Sequence, residues 1–369
     1  MALLVDERDS RWASANGLMA AYDLDALIAF GDPGDVPAHL RYLSGYRSMF
    51  GRAASVLFRD GGFVLIASSV VVAHYAKQLS WADEPLAVDE EDFGTELARL
   101  LKQKAASRIG VADLSLLPSA WRDHLVSAVP SATFWDLGQE LRHARLVKSS
   151  YELDLARESA RIADEAWSHM TDIVRVGRRE YEVLADLEHI LRLNGCEDSF
   201  NLVIGVPRLK YAIQNLPSER RIEEGDHLSI EVSPRFQGYY SQLTSLVSLG
   251  RVDPAIREGF DAADRAREAG LSVMKPGVDI LDVRHAVEAQ LSAEGRKLSS
   301  PMIGHFCGLE LDDLRAGSTS FEVQAGMTFI FHPLVAGYPG QLRADTFLVT
   351  DTGTQRLSNL PIEPLEIRV

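Results

Sequence analysis

The sequence predicts two domains, an α/β domain followed by an α+β domain, and three observations carry that expectation. The chain has 369 residues, more than a single core usually occupies. Residues 1–145 alternate short helical and strand patterns. Near Arg145-Leu146-Val147-Lys148-Ser149 the alternation stops and a long helical run begins, followed by a β-pair, two more helices and a return to strands in the final third. The boundaries drawn from this are 1–145 and 146–369.

In chain order, Asp9 to Tyr22 reads as an amphipathic helix and Ala26-Leu27-Ile28-Ala29-Phe30 as a short buried strand. Ala54 to Phe58, the turn Arg59-Asp60-Gly61-Gly62, and Phe63 to Ile66 form a hairpin pattern. Asp92 to Lys104 reads as a helix and Arg108 to Val111 as a strand, which completes the first domain. The second opens with a helix from Ser150 to His169, capped by Ser149 or Ser150 with Glu152 in its first turn. Gly177 breaks the pattern before a helix from Glu180 to Leu193, and further helices are expected over Pro254–Met274 and Ile280–Glu294.

Between these helices lies EGDHLSIEVSPRFQGYYSQLT, Glu224 to Thr244. A Gly-Asp turn leads into an apolar strand, a reversal containing Pro234 and Gly238 follows, and a second, aromatic strand completes a β-pair. Glu231 ends the first strand and Gln242 lies on the second. A carboxylate and a carboxamide in an otherwise apolar β-pair are costly to bury unless something satisfies them. They are either a polar pair at a strand edge or part of a site.

Composition narrows the class. The apolar fraction of 46% and charged fraction of 25% are those of an ordinary globular protein. A net charge of −15 argues against nucleic acid, which needs a basic surface. There is no apolar run long enough to span a bilayer, and the start MALLVDERDSRW is acidic where a secretory signal is basic. Cys196 and Cys307 are too few for a disulfide framework and read as reduced thiols. The expectation is a cytoplasmic protein without nucleic-acid or membrane partners.

The frame Gly225, Asp226, Gly238, Tyr239 and Thr244, with the eleven-residue interval from Glu231 to Gln242, resembles the metal-site hairpin of the creatinase, aminopeptidase P and methionine aminopeptidase superfamily, the pita-bread fold. Tyr42-Leu43-Ser44-Gly45-Tyr46 and the stretch Arg145 to Ser149 with Glu152 extend the resemblance to both halves. It implies a C-terminal domain with a curved antiparallel sheet covered by helices and an active site in the concave face. In metal-dependent members Asp, Asp, His, Glu and Glu hold two divalent ions, whose bridging oxygens activate a shared water. Carried over position by position these become Glu231, Gln242, His305, His332 and Ala344. His305 stands in Gly304-His305-Phe306-Cys307-Gly308, similar to the family's Gly-His-x-x-Gly, and His332 stands where the family has Glu before Pro. In Arg343-Ala344-Asp345 the last position is open by one residue. The bridging carboxylates are replaced, so the resemblance implies a metal-free site with no cofactor. A single metal held by Glu231, His305 and His332 is the alternative.

Creatinase is the superfamily's metal-free enzyme, and ectoine hydrolase is a second C–N hydrolase within it. The chain shares Phe50-Gly51-Arg52 and Gly238-Tyr239-Tyr240 with creatinase. There the Phe and Arg of the first motif reach into the partner subunit's site and hold the substrate carboxylate, a task suited to a planar two-pronged guanidinium. The loop Tyr211-Ala212-Ile213-Gln214-Asn215 lacks the histidine creatinase places there, and Gln242 and His332 match its guanidinium-gripping glutamates, which argues against creatine.

The resulting expectation is a homodimeric, metal-independent hydrolase of a non-peptide C–N bond in a small carboxylate-bearing compound. Glu231 is nucleophile or base, one of His305 and His332 is the acid, and Gln242 orients substrate or water. Phe50, Arg52, Tyr240 and Arg343 contribute to substrate binding. A lyase or cyclase on the same scaffold, or a non-catalytic ligand-binding descendant, are the rival readings. Cys307 lacks a third orienting group for nucleophilic work and reads better as a small apolar filler.

Overall fold

In the computed structural model the chain divides into two compact units, Met1–Arg145 and Leu146–Val369. The described residues are 5–32, 38–48, 50–206, 217–338, 343–361 and 363–369.

The first unit runs α1 (Val5–Ala21), β1 (Ala26–Gly31), α2 (Ala38–Ser44), β2 (Ala53–Phe58), β3 (Phe63–Ala67), α3 (Val70–Leu79), β4 (Leu86–Ala87), α4 (Phe93–Gln103), β5 (Arg108–Val111), α5 (Ser119–Ala128), β6 (Thr133–Asp136) and α6 (Gly138–Ala144). Its sheet has the order β4-β3-β2-β1-β5-β6, antiparallel through β3-β2-β1 and parallel toward both edges. The expected hairpin is β2–β3, and Gly61 takes the left-handed φ of +92° that its turn requires. Ile28, Val56 and Ile109 pack with Phe93 and Leu97 of α4, and Phe93 stacks on Trp121 of α5 at 4.6 Å.

The second unit comprises α7 (Ser150–Ser168), α8 (Met170–Ile173), α9 (Glu180–Leu193), β7 (Asp198–Val206), β8 (His227–Phe236), β9 (Tyr239–Tyr240), β10 (Leu243–Leu249), α10 (Pro254–Val273), α11 (Ile280–Ala293), β11 (Gly304–Phe306), β12 (Leu314–Ala316), β13 (Thr328–Phe331), β14 (Asp345–Val349), β15 (Thr354–Arg356) and β16 (Leu365–Ile367). Ser149 caps α7 in a reciprocal capping box with Glu152. One sheet has the order β16-β10-β8-β7, with β9 on β8, and the other the order β12-β11-β13-β14-β15. A bridge between Thr244 and Ala344 joins them. Strand periodicity then separates two faces. Ile230, Val232, Leu243 and Val247 face outward into a core with Ile162 and Ala163 of α7 and Leu187 of α9. Phe329, Phe331 and Phe347 do the same against α10 and α11. This is the helix-covered pita-bread sheet that the resemblance implies. Among the described residues no helix is long and apolar enough to cross a membrane.

The hairpin differs from expectation in one respect. β8 continues through Pro234, and the reversal falls at Gln237 and Gly238, with φ of +46° and +101°. Pro234 is tolerated because the ladder on that side is interrupted between β9 and β10.

Candidate active site

Residues directly opposite each other in an antiparallel pair share a face, so register alone assembles the site. Leu202 lies opposite Glu231, Glu231 opposite Thr244, and Thr244 opposite Ala344. Continuing the β13–β14 register past Phe331 and Asp345 sets Ala344 opposite His332, whose N–H bonds the Ile303 carbonyl at 3.0 Å. The neighbouring rung runs from Gln242 to Thr346, then Ile330, then His305. Glu231, Gln242, Ala344, His305 and His332 therefore occupy two adjacent rungs of the inner face. Asp345 belongs to the other face, beneath α10, where Arg267 holds it. The open choice in Arg343-Ala344-Asp345 thus resolves to Ala344 as the inward residue.

Glu231 is buried, and its only hydrogen bond among the described residues comes from the Ser233 hydroxyl at 3.4 Å. Burial, weakly opposed by that hydroxyl, pushes its pKa up to about 7. Gln242 is held at its backbone, where its N–H donates to Thr346 Oγ1 at 2.8 Å and the Thr346 hydroxyl donates back to its carbonyl at 3.1 Å. Its Nε2 reaches Thr244 Oγ1 at 3.4 Å.

The two imidazoles are diagonal neighbours, with ring centroids 5.0 Å apart at 61°. His305 Nδ1 lies 2.8 Å from the Leu311 carbonyl, so that nitrogen carries the proton and Nε2 is left as acceptor. Burial lowers the His305 pKa to about 4. Burial and the neighbouring His305 lower that of His332 to about 3, and its Nδ1 has no hydrogen-bond partner among the described residues. Both rings are neutral near pH 7, which changes the role expected of them: neither holds a proton to give as an imidazolium.

The remaining expected residues are placed as follows. Tyr240 lies one rung beyond Gln242 on the same face, its ring covered by Arg235 at 5.4 Å. Cys307 Sγ sits against the Tyr240 carbonyl and the Thr328 hydroxyl, both at 3.7 Å, and burial pushes the thiol up to about 12, as befits a filler. Arg343 is drawn to Asp345, with Nη2 at 2.9 Å from Oδ2. In the first unit Phe50 is exposed, and Arg52 is paired with Asp32 at 2.9 Å and Glu90 at 2.6 Å. Tyr211 to Asn215 lie outside the described residues. Thr244 and Thr346, which fix Gln242, were not among the expected site residues. Thr244 stood in the sequence only as part of the hairpin frame, and the signal for Thr346 is its even spacing from Ala344 along the strand.

Residues 154–351 match the family described as metallopeptidase family M24, and residues 11–147 match the creatinase/prolidase N-terminal domain. A protein named Xaa-Pro dipeptidase from Pyrococcus horikoshii is 23% identical over 307 residues, covering 81% of this chain and 86% of that one. An uncharacterised peptidase of Bacillus subtilis, YqhT, is 24% identical over 243 residues, 64% of this chain and 69% of its own. Among solved structures, an X-Pro aminopeptidase from Thermotoga maritima superposes with a TM-score of 0.84 at 20% identity, over 96% of this chain and 99% of that one. The prolidase from Pyrococcus horikoshii gives 0.82 at 21%, over 95% and 98%. At these identities the structures show the fold.

These matches overturn the expectation of a creatinase-like, metal-independent hydrolase of non-peptide C–N bonds. The matched family is one of metallopeptidases, and the named relatives are peptidases. The expectation of no cofactor is overturned with it, because the family name implies a metal. The donor chemistry at the five inner-face positions was tested against such a group. Two cations held close together need anionic oxygens between them. The five positions offer one carboxylate, one carboxamide, two imidazoles and a methyl group. Among the described residues no three His, Cys, Asp or Glu side chains converge as a metal-holding group, including Glu231, His305 and His332. These residues do not fit a carboxylate-bridged pair of ions.

Proposed function

The chain belongs to metallopeptidase family M24, and from that premise we propose that it hydrolyses a peptide bond in a short peptide on the inner sheet face bearing Glu231, Gln242, His305 and His332. Relatives named Xaa-Pro dipeptidase make a dipeptide with proline as the leaving amine the first substrate class to try. The observation that carries the reading is Glu231, a buried carboxyl whose pKa of about 7 lets it exist in both forms at neutral pH. A group that accepts a proton in one step and returns it in the next needs that balance.

In this reading ionised Glu231 takes a proton from water as the water oxygen adds to the peptide carbonyl carbon. The carbonyl electron pair moves onto oxygen, and the Gln242 carboxamide N–H donates to it. The C–N bond then breaks, and Glu231 returns its proton to the departing nitrogen. One water enters, and one carboxylic acid and one amine leave, the second water proton staying on the new carboxyl group. His305 and His332 act as neutral hydrogen-bond partners, and Tyr240 bounds the site.

Gln242 and Ala344 support reading the chain as a superfamily member with an altered ligand set. The 1–145 and 146–369 domains are proposed to work in a cytoplasmic homodimer, with Phe50 and Arg52 offered to a second copy's substrate. That role requires Arg52 to release Asp32 or Glu90.

The test is a dipeptide panel, Xaa-Pro members included, incubated with the protein and with Glu231→Gln, each with and without added Mn or Co, and read by mass spectrometry of released amino acids. Release by the parent that is lost in the variant is expected. No release from any dipeptide, or equal release by both proteins, overturns the reading.

A further inference from the structure

Between β11 and β12 the chain doubles back through Cys307–Asp313, and that loop is braced by an ion pair. Lys148 Nζ lies 3.6 Å from Asp313 Oδ2, with the two side chains 1% and 0% exposed. We infer that Lys148 and Asp313 are positioning residues that fix the tautomer and ring orientation of His305. The inference rests on the proposed part of His305 in hydrolysis and joins Lys148, which the sequence marked as part of the domain junction, to Asp313, which it did not mark.

The geometry connects the pair to the ring in three steps. Lys148 is anchored first: its N–H donates to the Gly326 carbonyl at 3.0 Å, its Nζ donates to the Leu146 carbonyl at 3.1 Å, and Val147 bridges Met327. The base of the loop is closed next, with Asp313 N–H bonded to the Phe306 carbonyl at 2.9 Å and Gly308 N–H to the Glu310 carbonyl at 3.0 Å. Gly308 lies directly on the ion pair. A Cβ there would stand 2.6 Å from Asp313 Oδ2 and 3.0 Å from Lys148 Nζ, so the pair and the loop backbone are in close contact. The Gly308 carbonyl also accepts from Tyr240 N–H at 2.9 Å, which ties the loop to β9.

Within the loop so held, the Leu311 carbonyl stands 2.8 Å from His305 Nδ1. A neutral imidazole has one N–H, and the acceptor facing one nitrogen decides which nitrogen carries it. The Leu311 carbonyl demands Nδ1–H and leaves the Nε2 lone pair on the inner face. Removing one member of a buried ion pair leaves the other charge uncompensated, whereas replacing both with apolar groups is tolerated far better. The single variants therefore perturb the loop by stranding a charge, and the double variant removes the brace without one.

The experiment is a long-range 1H–15N correlation on the full chain labelled at histidine nitrogens, with the His305 signals assigned by His305→Gln. The unsubstituted protein is expected to show His305 with Nδ1 protonated and Nε2 bare. Lys148→Met, Asp313→Asn and the double Lys148→Met/Asp313→Leu are each expected to populate the Nε2–H form. On a substrate that is turned over, kcat should fall tenfold or more at unchanged KM. An Nε2–H tautomer in the unsubstituted protein, or an unchanged Nδ1–H signal in folded variants, overturns the inference. If the single variants do not fold, the double variant decides on the same signals. The spectra need no turnover, so a tautomer shift in a chain that cleaves no peptide sustains this inference and sinks the hydrolytic reading alone.

Discussion

Ala344 and Thr244 exchange both backbone hydrogen bonds, Ala344 N–H to the Thr244 carbonyl at 3.1 Å and Thr244 N–H to the Ala344 carbonyl at 3.0 Å. That pair joins the two sheets of the second unit and fixes the rung on which Glu231 and His332 stand. It also places a methyl group inward where a carboxylate would help bridge two cations, and sends Asp345 outward to Arg267.

The first prediction follows from that methyl group. Gln242→Asp combined with Ala344→Glu puts two carboxylates on adjacent rungs of the inner face. After loading with Mn or Co and extensive dialysis, elemental analysis should find at least one more ion per chain than in the parent. Equal metal content in the two proteins would mean that these side chains do not face one another as the register places them.

Glu231 supplies a pH prediction for activity. Its carboxyl, pushed up to about 7 by burial, acts as a base only when ionised, so kcat/KM should rise as pH climbs through about 7. Glu231→Gln should lower kcat by roughly 10²–10⁴-fold, the usual worth of a general base. Retention of the rising limb in Glu231→Gln would assign it to another group.

How much of this was legible beforehand varies with the physical range of the signal. The hairpin β2–β3, the Ser149–Glu152 cap and the helices α7, α9, α10 and α11 follow from periodicity and capping within a few residues, and the structure has them within about a turn of the expected ends. The placement of Glu231, Gln242, His305 and His332 on one face depended on pairing between strands up to a hundred residues apart, which a resemblance can suggest and local pattern cannot. Roles were less legible than places. His305 and His332 were expected to supply an acid, but desolvation depends on what covers the rings, and burial leaves both neutral. Lys148 reads in sequence as one basic residue at a junction, because its partner Asp313 is far along the chain.

Asp345 gives a stability prediction. Its fully buried carboxylate is reached by Arg267, by Arg343 at 2.9 Å, by Arg356 at 3.0 Å and by the Ser358 hydroxyl at 2.9 Å. Asp345→Asn leaves Arg267 only Asp264 and Glu268, takes the carboxylate from buried Arg343, and should cost about 3–5 kcal/mol in urea unfolding. Arg343 is the surplus cation. Among the described residues its Nε and Nη1 have no hydrogen-bond partner, and burial lowers its pKa to about 10. Arg343→Met should therefore unfold within about 1 kcal/mol of the parent, or later. Its KM should be unchanged, and a raised KM at constant kcat would return Arg343 to the substrate.

The inner face also predicts two opposite pH dependences of stability. Glu231 has a folded pKa of about 7 against an ordinary value of 4.5, so the folded state holds its proton more tightly than the unfolded chain. Its favourable contribution is complete below about pH 4.5 and is lost as pH rises through about 7. With 1.36 kcal/mol per pKa unit, the loss approaches about 3 kcal/mol at pH 8. Glu231→Gln should therefore gain stability over the parent as pH is raised, with little gain at pH 4.5. The histidines have the other sign. Their folded pKa values of about 4 and about 3 lie below the ordinary value of 6.5, so their contribution is present above pH 6.5 and is lost as pH falls toward 4. His332→Gln should narrow the gap between unfolding midpoints at pH 7 and pH 4.5, while Glu231→Gln narrows the gap between pH 4.5 and pH 8. Urea unfolding of the three proteins at those three pH values measures both, and parallel curves would mean that these groups are solvated in the folded chain.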